Sequence, residues 1–158
     1  MATPSQIFDR QLLQKRRLRA APSMADYDYL LAHVSEDIAD RLSMITRQFP
    51  LALNYGCHTA RLSHGLLELD QINHIISTDG LEILVEQAPD MRVIADEELF
   101  PFKNESFDLI VSALSLQLVN DLPGTLLQLR RGLKPDGAFL AAVLGGESLA
   151  ELRHVFLL

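Results

Sequence analysis

Beyond residue 50, short apolar runs alternate with segments in which apolar residues recur every three or four positions. The short runs predict five β-strands, over 51–55, 74–78, 91–95, 107–114 and 138–144. The run from Phe107 to Leu114 is apolar at almost every position, which is typical of a strand buried on both faces. Strands that alternate with helices through short connections indicate right-handed crossovers and a parallel sheet. The predicted class is therefore α/β, with a Rossmann-like, doubly wound sheet of about five strands.

Helices are predicted between and after these strands, over 59–69, 81–87, 121–132 and from 147 onward. The third of them has the clearest ends. Asp121 is a good N-cap, Pro123 suits the first turn, and Gly132 is expected to stop the helix.

Before Pro50 the pattern is helical, so we expect residues 1–49 to form an N-terminal helical segment and 50–158 to form the core. Ser23 is the expected N-cap of a long helix, which ends near Phe49 because the residue before a proline disfavours helical geometry. Its apolar stripe is Tyr27, Leu30, Leu31, Val34, Ile38, Leu42 and Ile45.

Composition limits the function classes. The chain has 158 residues, of which 48% are hydrophobic and 22% charged, as in ordinary soluble globular proteins. No apolar run approaches the roughly 20 residues that a membrane span needs. The net charge of -7 makes nucleic acid an unexpected partner. The single cysteine excludes an intrachain disulfide and fits a reducing compartment, so a cytoplasmic location is expected.

The charge is unevenly distributed, since residues 1–20 contain five basic side chains and one acidic one. The basic residues are Arg10, Lys15, Arg16, Arg17 and Arg19. Three interpretations are open: an RNA-contacting arm, a transit peptide, or a solvated helix face. The solvated face is favoured because runs of charge are commonly exposed. The five histidines show no metal-ligand spacing, so no metal site is expected.

The turn after the first predicted strand is a candidate ligand loop. It reads Leu53-Asn-Tyr-Gly-Cys-His-Thr-Ala-Arg61. Gly56 lets the backbone approach a ligand, and the N–H groups of the following helix attract a carboxylate. A dinucleotide fingerprint needs three glycines, so an NAD-binding domain is disfavoured. The adjacent Cys57 and His58 suggest a nucleophile, but neighbouring side chains rarely face each other, and structural filler is the favoured interpretation.

Acidic residues follow the second and third predicted strands. Asp79 is positioned, relative to Gly56, to accept hydrogen bonds from ribose hydroxyls, or alternatively to cap the next short helix. The Asp96-Glu97-Glu98 run is either a solvated loop or an acceptor for an adenine amino group. Both alternatives remain open on the residues alone.

Several longer passages resemble class I S-adenosylmethionine (SAM) dependent methyltransferases of type 11. The group contains the malonyl-carrier-protein methyltransferases of biotin synthesis and the complex I assembly factors, and the second branch is the more similar. The passages are Phe8-Asp-Arg10, Ile38-Ala-Asp-Arg41, Phe49-Pro-Leu-Ala-Leu53, Ala95-Asp-Glu-Glu98, Leu118-Val-Asn-Asp-Leu-Pro123, Leu133-Lys-Pro-Asp-Gly137 and Gly145-Gly-Glu-Ser-Leu-Ala-Glu-Leu-Arg153.

The resemblance implies a cofactor, SAM, with S-adenosylhomocysteine as its product. It assigns these residues to the cofactor site: Asn54, Gly56, Cys57, His58, Asp79, Gly80, Asp96, Glu97 and Leu114. Asp79 would bind the ribose and Asp96 would face the adenine. The residues at the end of the fourth strand, Ser112 to Gln117, which include Leu114, would border the sulfonium and the substrate. The implied function is SAM-dependent methyl transfer to a protein or carrier protein. The assembly-factor branch is associated with the modification of an arginine.

The chain departs from the family's acid-x-Gly-x-Gly-x-Gly loop at three positions, which carry Asn54, His58 and Ala60. Each departure is expected to cost on the order of 1–3 kcal/mol if a buried hydrogen bond or close approach is lost. The alternative function is therefore a non-catalytic or fragmentary binding or assembly module of the same fold.

Members of the resembled group continue into further strands and a substrate-covering segment. The fifth predicted strand would then form a sheet edge, and the apolar end at 155–158 would lack its cover. Exposed edges and apolar ends favour association. We therefore expect the chain to self-associate through its C-terminal region.

Overall fold

A computed structural model describes residues 6–156. Its strands are Phe49–Tyr55 (β1), Ile72–Asp79 (β2), Met91–Ile94 (β3), Phe107–Ala113 (β4) and Leu133–Ala142 (β5). All neighbouring strands pair in parallel, in the order β3-β2-β1-β4-β5. The predicted Rossmann-like parallel sheet with N-terminal helices is confirmed.

Six α-helices surround the sheet. They are Arg10–Ala20 (α1), Tyr29–Ser43 (α2), Arg61–Leu67 (α3), Glu82–Val85 (α4), Leu122–Gly132 (α5) and Ala150–Phe156 (α6). Short 3-10 helices occupy Ala21–Asp26 and Leu116–Leu118. The Asp121 carboxylate accepts a hydrogen bond from the Gly124 N–H at 2.9 Å, which confirms the predicted cap of α5.

Both faces of the sheet are covered by apolar side chains. On one face, Leu42 of α2 and Leu66 of α3 belong to the same core as the strand residue Ala52. On the other face, Leu53 of β1 packs in a core that includes Leu129 of α5. Successive strand residues point to opposite faces, so neighbours such as Ala52 and Leu53 belong to different cores.

β4 contributes to both cores, which agrees with its continuous apolar sequence. Its pairing with β5 is irregular between Phe107 and Leu109. Over this interval β5 runs from Leu133 to Ala138, so the extra residues lie in β5.

The N-terminal helices differ from the prediction. Ser23 does not begin a long helix, because it lies in the 3-10 segment and its hydroxyl donates to the Ala20 carbonyl. The helix starts at Tyr29, with Asp28 as its N-cap residue. Tyr27 therefore lies outside the apolar stripe, and its side chain is exposed.

One further boundary differs. β5 begins at Leu133, directly after α5, rather than at the predicted Ala138. The helix ends at Gly132, as predicted, but with Leu133 as its C-cap residue and with no positive φ at the glycine. The glycine is needed for packing, because a Cβ there would lie 2.2 Å from Cζ of Phe100.

The edges of the described sheet are β3 and β5. Apolar side chains near the β5 edge are exposed, among them Val143, Leu144 and Leu152. Leu157 and Leu158, which belong to the predicted apolar end, lie outside the described residues. Within 6–156, no helix combines the length and the apolar character needed to cross a membrane.

Candidate ligand site at the carboxyl ends of the strands

The candidate residues lie together at the topological switch point of the sheet, between β1 and β4. Open parallel sheets bind ligands at such a point, beyond the carboxyl ends of the strands. The loop after β1 (residues 56–60, here the β1–α3 loop), the end of β2 and the loop after β3 all meet there.

Gly56 is the glycine that this loop requires. Its φ is +77°, and a Cβ would lie 2.1 Å from Oγ of Ser115. The N–H groups of Gly56 and Cys57 both donate to the Thr78 carbonyl, at 3.0 and 2.8 Å. The loop is thereby held against the end of β2, with its backbone close to any ligand placed there.

The two other glycine positions of the resembled pattern keep glycine-like backbone geometry. His58 has a φ of +49° and Ala60 a φ of +58°. Left-handed geometry costs a residue with a Cβ about 1–2 kcal/mol. The loop therefore keeps the path that glycines would allow, although the side chains have changed.

The His58 ring fills the space above the loop. Its Nε2 lies 3.2 Å from the Leu114 carbonyl, and its Nδ1 lies 3.1 Å from Nη2 of Arg17. A guanidinium can only donate and a carbonyl can only accept, so the proton belongs on Nε2. Burial, together with the Arg17 charge, lowers the pKa of His58 and keeps the ring neutral.

Cys57 is buried below the same loop. Burial, reinforced by the nearby Asp79 carboxylate, raises the pKa of its thiol to about 12. A protonated thiol is a poor nucleophile, which agrees with a structural role for this side chain.

Asn54 lies beneath the loop, in a polar chain between strand and helix. Its Nδ2 donates to Oγ of Ser63 at 2.8 Å, and that hydroxyl lies 2.7 Å from Oγ of Ser77. The Asn54 Oδ1 is buried, with no hydrogen-bond partner among the described residues. An aspartate at this position would place a charge in a site that holds few donors.

Asp79 is completely buried at the end of β2. Its Oδ2 accepts from the His58 N–H at 3.2 Å, and its Oδ1 accepts from the Leu81 N–H at 3.1 Å. The N-cap residue of α4 is Leu81 and not Asp79, so the prediction that Asp79 is the N-cap of this helix is wrong. The carboxylate instead stabilises the turn before the helix. Gly80 follows it, facing the side chain of Gln14.

The acidic run after β3 is only partly solvated. Glu97 is buried, whereas the Asp96 side chain is 30% exposed. The Tyr55 hydroxyl donates to the Glu97 carbonyl at 2.9 Å. Burial and the neighbouring Glu97 and Asp96 charges raise the pKa of Tyr55, so its hydroxyl remains a donor. Asp79, Asp96 and Glu97 together form what we call the acid cluster.

Two arginines of α1 reach into the acid cluster. Arg17 donates to Oδ2 of Asp79 at 2.7 Å and to Oε1 of Glu97 at 3.4 Å. Arg10 donates to Oδ1 of Asp96 at 2.8 Å and also to Glu97. The expectation of a solvated basic face is therefore wrong for these two residues, which the acid cluster pulls inward.

Apart from these contacts, α1 is weakly packed. None of its residues is buried, and the apolar Leu12 and Leu18 are exposed. Phe8, just before the helix, exchanges two hydrogen bonds with the Asn120 side chain. Ionic contacts therefore hold α1 across the site, and apolar packing contributes little.

An apolar cavity of about 350 Å³ opens beside the loop. His58 lines it from the β1–α3 loop, Leu114 from the end of β4, and Met24 and Leu31 from the N-terminal helical segments. It lies next to the end of β4, because Leu114 directly follows that strand. A substrate side chain entering here would meet the position where His58 and Leu114 face each other.

Sequence reasoning missed Arg10 and Arg17 as members of the site, whereas Ser115 lies within the stretch 112–117 that the resemblance assigned to it. The Phe8-Asp-Arg10 motif was a signal for the first of them. No local pattern indicates the Arg17 contact, since its partner lies 62 residues away. Among residues 6–156, no cluster of histidine, cysteine or carboxylate side chains could hold a metal ion.

The chain matches known proteins in both sequence and structure. A family profile described as "Methyltransferase domain" (Methyltransf_11) matches residues 53–141. The mitochondrial arginine-hydroxylase NDUFAF5 of Mus musculus is 43% identical over 154 residues, which are 93% of this chain and 45% of the relative. A malonyl-[acyl-carrier protein] O-methyltransferase of Halorhodospira halophila is 29% identical, over 94% of this chain and 53% of the relative. The chain thus spans about half the length of these curated relatives.

Solved structures share the fold at lower identity. A chain of the complex between the Haloferax volcanii Trm112 methyltransferase activator and a methyltransferase superposes with a TM-score of 0.69. It is 23% identical, and the match covers 85% of this chain and 59% of that one. A SAM-dependent methyltransferase from Thermotoga maritima gives a TM-score of 0.65 at 17% identity, over 86% of this chain and 68% of that one.

Proposed function

The chain belongs to the methyltransferase-domain family, and on that premise we propose that it binds SAM and modifies a protein side chain. The observation that carries the proposal is the buried Asp79 carboxylate beside a loop whose residues 56, 58 and 60 all have positive φ. This arrangement fits the cofactor, because a carboxylate at the end of β2 accepts from ribose hydroxyls while the loop backbone approaches the ligand.

The residues divide the work of binding. Asp79 accepts from the ribose, Asp96 faces the adenine, and the N–H groups at the start of α3 attract the carboxylate of the cofactor. SAM supplies a methyl group bonded to a sulfonium, and S-adenosylhomocysteine is the leaving group when that methyl group is transferred. The protein then has mainly to position the acceptor, and a guanidinium acceptor must in addition give up a proton to a carboxylate or to water.

A protein arginine is the acceptor that we propose. The identity to arginine-hydroxylases (43%) exceeds that to the carrier-protein methyltransferase (29%). The acid cluster already holds two guanidinium groups, those of Arg10 and Arg17. Because Asp79 and Asp96 are assigned to the cofactor, the support for an arginine acceptor rests on the sequence relatives.

Binding of SAM requires a rearrangement of α1. Arg17 and the ribose would use the same oxygen of Asp79, so the two compete for it. We propose that α1 withdraws Arg17 when the cofactor enters, and that the free energy of cofactor binding is reduced by the cost of breaking this ion pair.

A second candidate function is a non-catalytic binding or assembly module of the same fold. The neutral His58 ring and the Arg17–Asp79 pair favour it, because both fill space that the cofactor needs.

Calorimetric titration with SAM and with S-adenosylhomocysteine tests the proposal. We expect micromolar binding by the unmodified chain and loss of binding in Asp79→Asn. The control is Asp108→Asn, which removes a carboxylate that accepts from Leu51 and Lys134 outside the site. Absence of binding at millimolar ligand would instead favour the module.

A further inference from the structure

A second concave surface lies between α2 and α3, on the outside of the sheet. This α2–α3 groove has a volume of about 580 Å³. Ala32, Ser35 and Ala39 line it from α2, and His64, Gly65 and Glu68 line it from α3 and its end. It shares no lining residue with the candidate cofactor site, so it is a separate feature of the molecule.

The floor of the groove is made of small side chains. Ala32, Ser35 and Ala39 are spaced three and four apart and lie along one face of α2. Gly65 faces them from α3, and a Cβ placed there would meet no atom within 4 Å. Glycine costs a helix about 1 kcal/mol relative to alanine, and no contact within the described residues requires it here. Small residues on two neighbouring helices allow a third helix to approach closely.

The groove also contains an unsatisfied polar group. Ser35 is 6% exposed, and its hydroxyl has no hydrogen-bond partner among the described residues. A buried hydroxyl without a partner typically costs about 1–3 kcal/mol. An occupant that offers a polar group at this position would recover that cost.

The rim of the groove is acidic. Glu36, Asp40 and Glu68 line it, and none of them forms an ion pair within residues 6–156. Arg61 also lines it, but its guanidinium donates to Asp28 at 2.6 Å, so its charge is already paired. An acidic rim attracts a cationic partner and repels nucleic acid and anionic lipid.

We propose that the α2–α3 groove binds a basic amphipathic α-helix of a partner protein. The small face of that helix lies over Ala39 and Gly65, its lysines or arginines pair with Glu36 and Glu68, and a polar side chain reaches Ser35. A helix laid in a groove between two others is a common mode of peptide recognition, and the charges set its specificity.

Fluorescence anisotropy with two labelled helical peptides tests this proposal. The probe is an 18-residue amphipathic peptide of leucine, alanine and lysine, and its counterpart carries glutamate in place of lysine. We expect the lysine peptide to bind with a micromolar dissociation constant and the glutamate peptide not to bind. Gly65→Leu adds a large side chain at a position where a Cβ meets no atom within 4 Å, and it should weaken binding by at least about tenfold. The double variant Glu36→Lys, Glu68→Lys should weaken binding to the same extent.

The matched control is Glu86→Lys with Glu151→Lys, which changes the net charge equally at two exposed positions outside the groove. Retained binding in this control supports the groove. Equal weakening in the control and the groove variants would show non-specific attraction to an acidic protein and would overturn the proposal. Unchanged binding in Gly65→Leu, with an unchanged melting temperature, would also overturn it. A dimer that Gly65→Leu dissociates would assign the groove to a second copy of this chain instead.

Discussion

The side chain of His58 decides how open the cofactor site is. It sits on backbone of the type that glycine prefers, so the path of the loop is intact, and the ring, together with Arg17, occupies the candidate site. Its ring bonds with Arg17 and with the Leu114 carbonyl, which links the loop to α1 and to the end of β4. A substitution at His58 can therefore remove the ring from the site while the backbone of the loop keeps its geometry.

Replacing His58 with glycine is expected to tighten SAM binding by about tenfold or more, because the ring is removed from the ligand's path. His58→Asn is the graded control, since asparagine tolerates a positive φ but keeps a side chain. Adding Asn54→Asp tests whether the missing loop carboxylate matters as well. Calorimetry measures the affinities, and equal values for all variants would show that the loop is misplaced or that the site is blocked elsewhere.

His58 should also make stability depend on pH. Its pKa in the folded protein lies below the ordinary 6.5, so the unfolded chain binds the proton more tightly. The stabilisation is fully present above pH 6.5 and is lost as the pH falls from there through the folded pKa. Urea unfolding at pH 7.5 and at pH 5.5 should show this decrease, and His58→Asn should flatten it. A decrease of the same size in that variant would assign the effect to other groups.

At the scale of elements, α1 lies across the candidate site and is held there by ion pairs with the acid cluster. Arg17→Gln removes the competitor for Asp79, so we expect tighter SAM binding together with a lower melting temperature of the ligand-free protein. Arg16→Gln is the matched control, because Arg16 lies on the same helix and is exposed. Calorimetry and thermal unfolding measure the two effects. If both variants bind SAM equally, Arg17 does not compete with the ligand.

Two helical glycines should respond oppositely to alanine. Gly132→Ala would press a methyl group into the Phe100 ring, which is expected to lower the free energy of unfolding by about 1–3 kcal/mol. Gly65→Ala meets open space and gains helix propensity, so it should raise that free energy by up to about 1 kcal/mol. Urea denaturation compares the pair, and destabilisation by Gly65→Ala would mean that the groove floor is already in contact.

At the scale of the whole molecule, the two sheet edges differ in their surroundings. Near β5 the exposed apolar side chains include Phe139, Val143 and Leu152, whereas the β3 edge exposes Met91 and Ile94. Exposed apolar surface next to an unpaired strand favours association. We propose that copies of this chain associate through the β5 side.

Sedimentation at micromolar concentration tests that association. Val143→Glu with Leu152→Glu should shift the protein toward the monomer, because charge is unfavourable in an apolar interface. Ile94→Glu, at the opposite edge, should leave the assembly unchanged. A monodisperse monomer of the unmodified chain would contradict the prediction.

Local patterns in the sequence determined the architecture of this protein. Strand and helix periodicity, the Asp121 cap and the single-glycine turn depend on residues close together in the chain, so they predicted the parallel sheet and the position of the ligand loop. Asp79 and Asp96 were placed in the same way, because strand ends in a parallel sheet meet at one edge, whereas Leu114 was assigned by the family resemblance. The predicted boundaries were wrong at Ser23, which lies in a 3-10 segment, and at the start of β5, which lies at Leu133 rather than Ala138.

Only the tertiary structure decided what occupies the site. The Arg17–Asp79 pair joins residues 62 positions apart, and the Arg10–Asp96 pair joins residues 86 positions apart. A run of basic residues predicts an exposed helix face. The fold places buried carboxylates next to two of these residues, and their side chains therefore turn inward. Ion pairs depend on the path of the whole chain, whereas strands and caps depend on neighbours. For that reason the sequence indicated a candidate ligand site, and the fold showed that two of the chain's own arginines pair with its carboxylates.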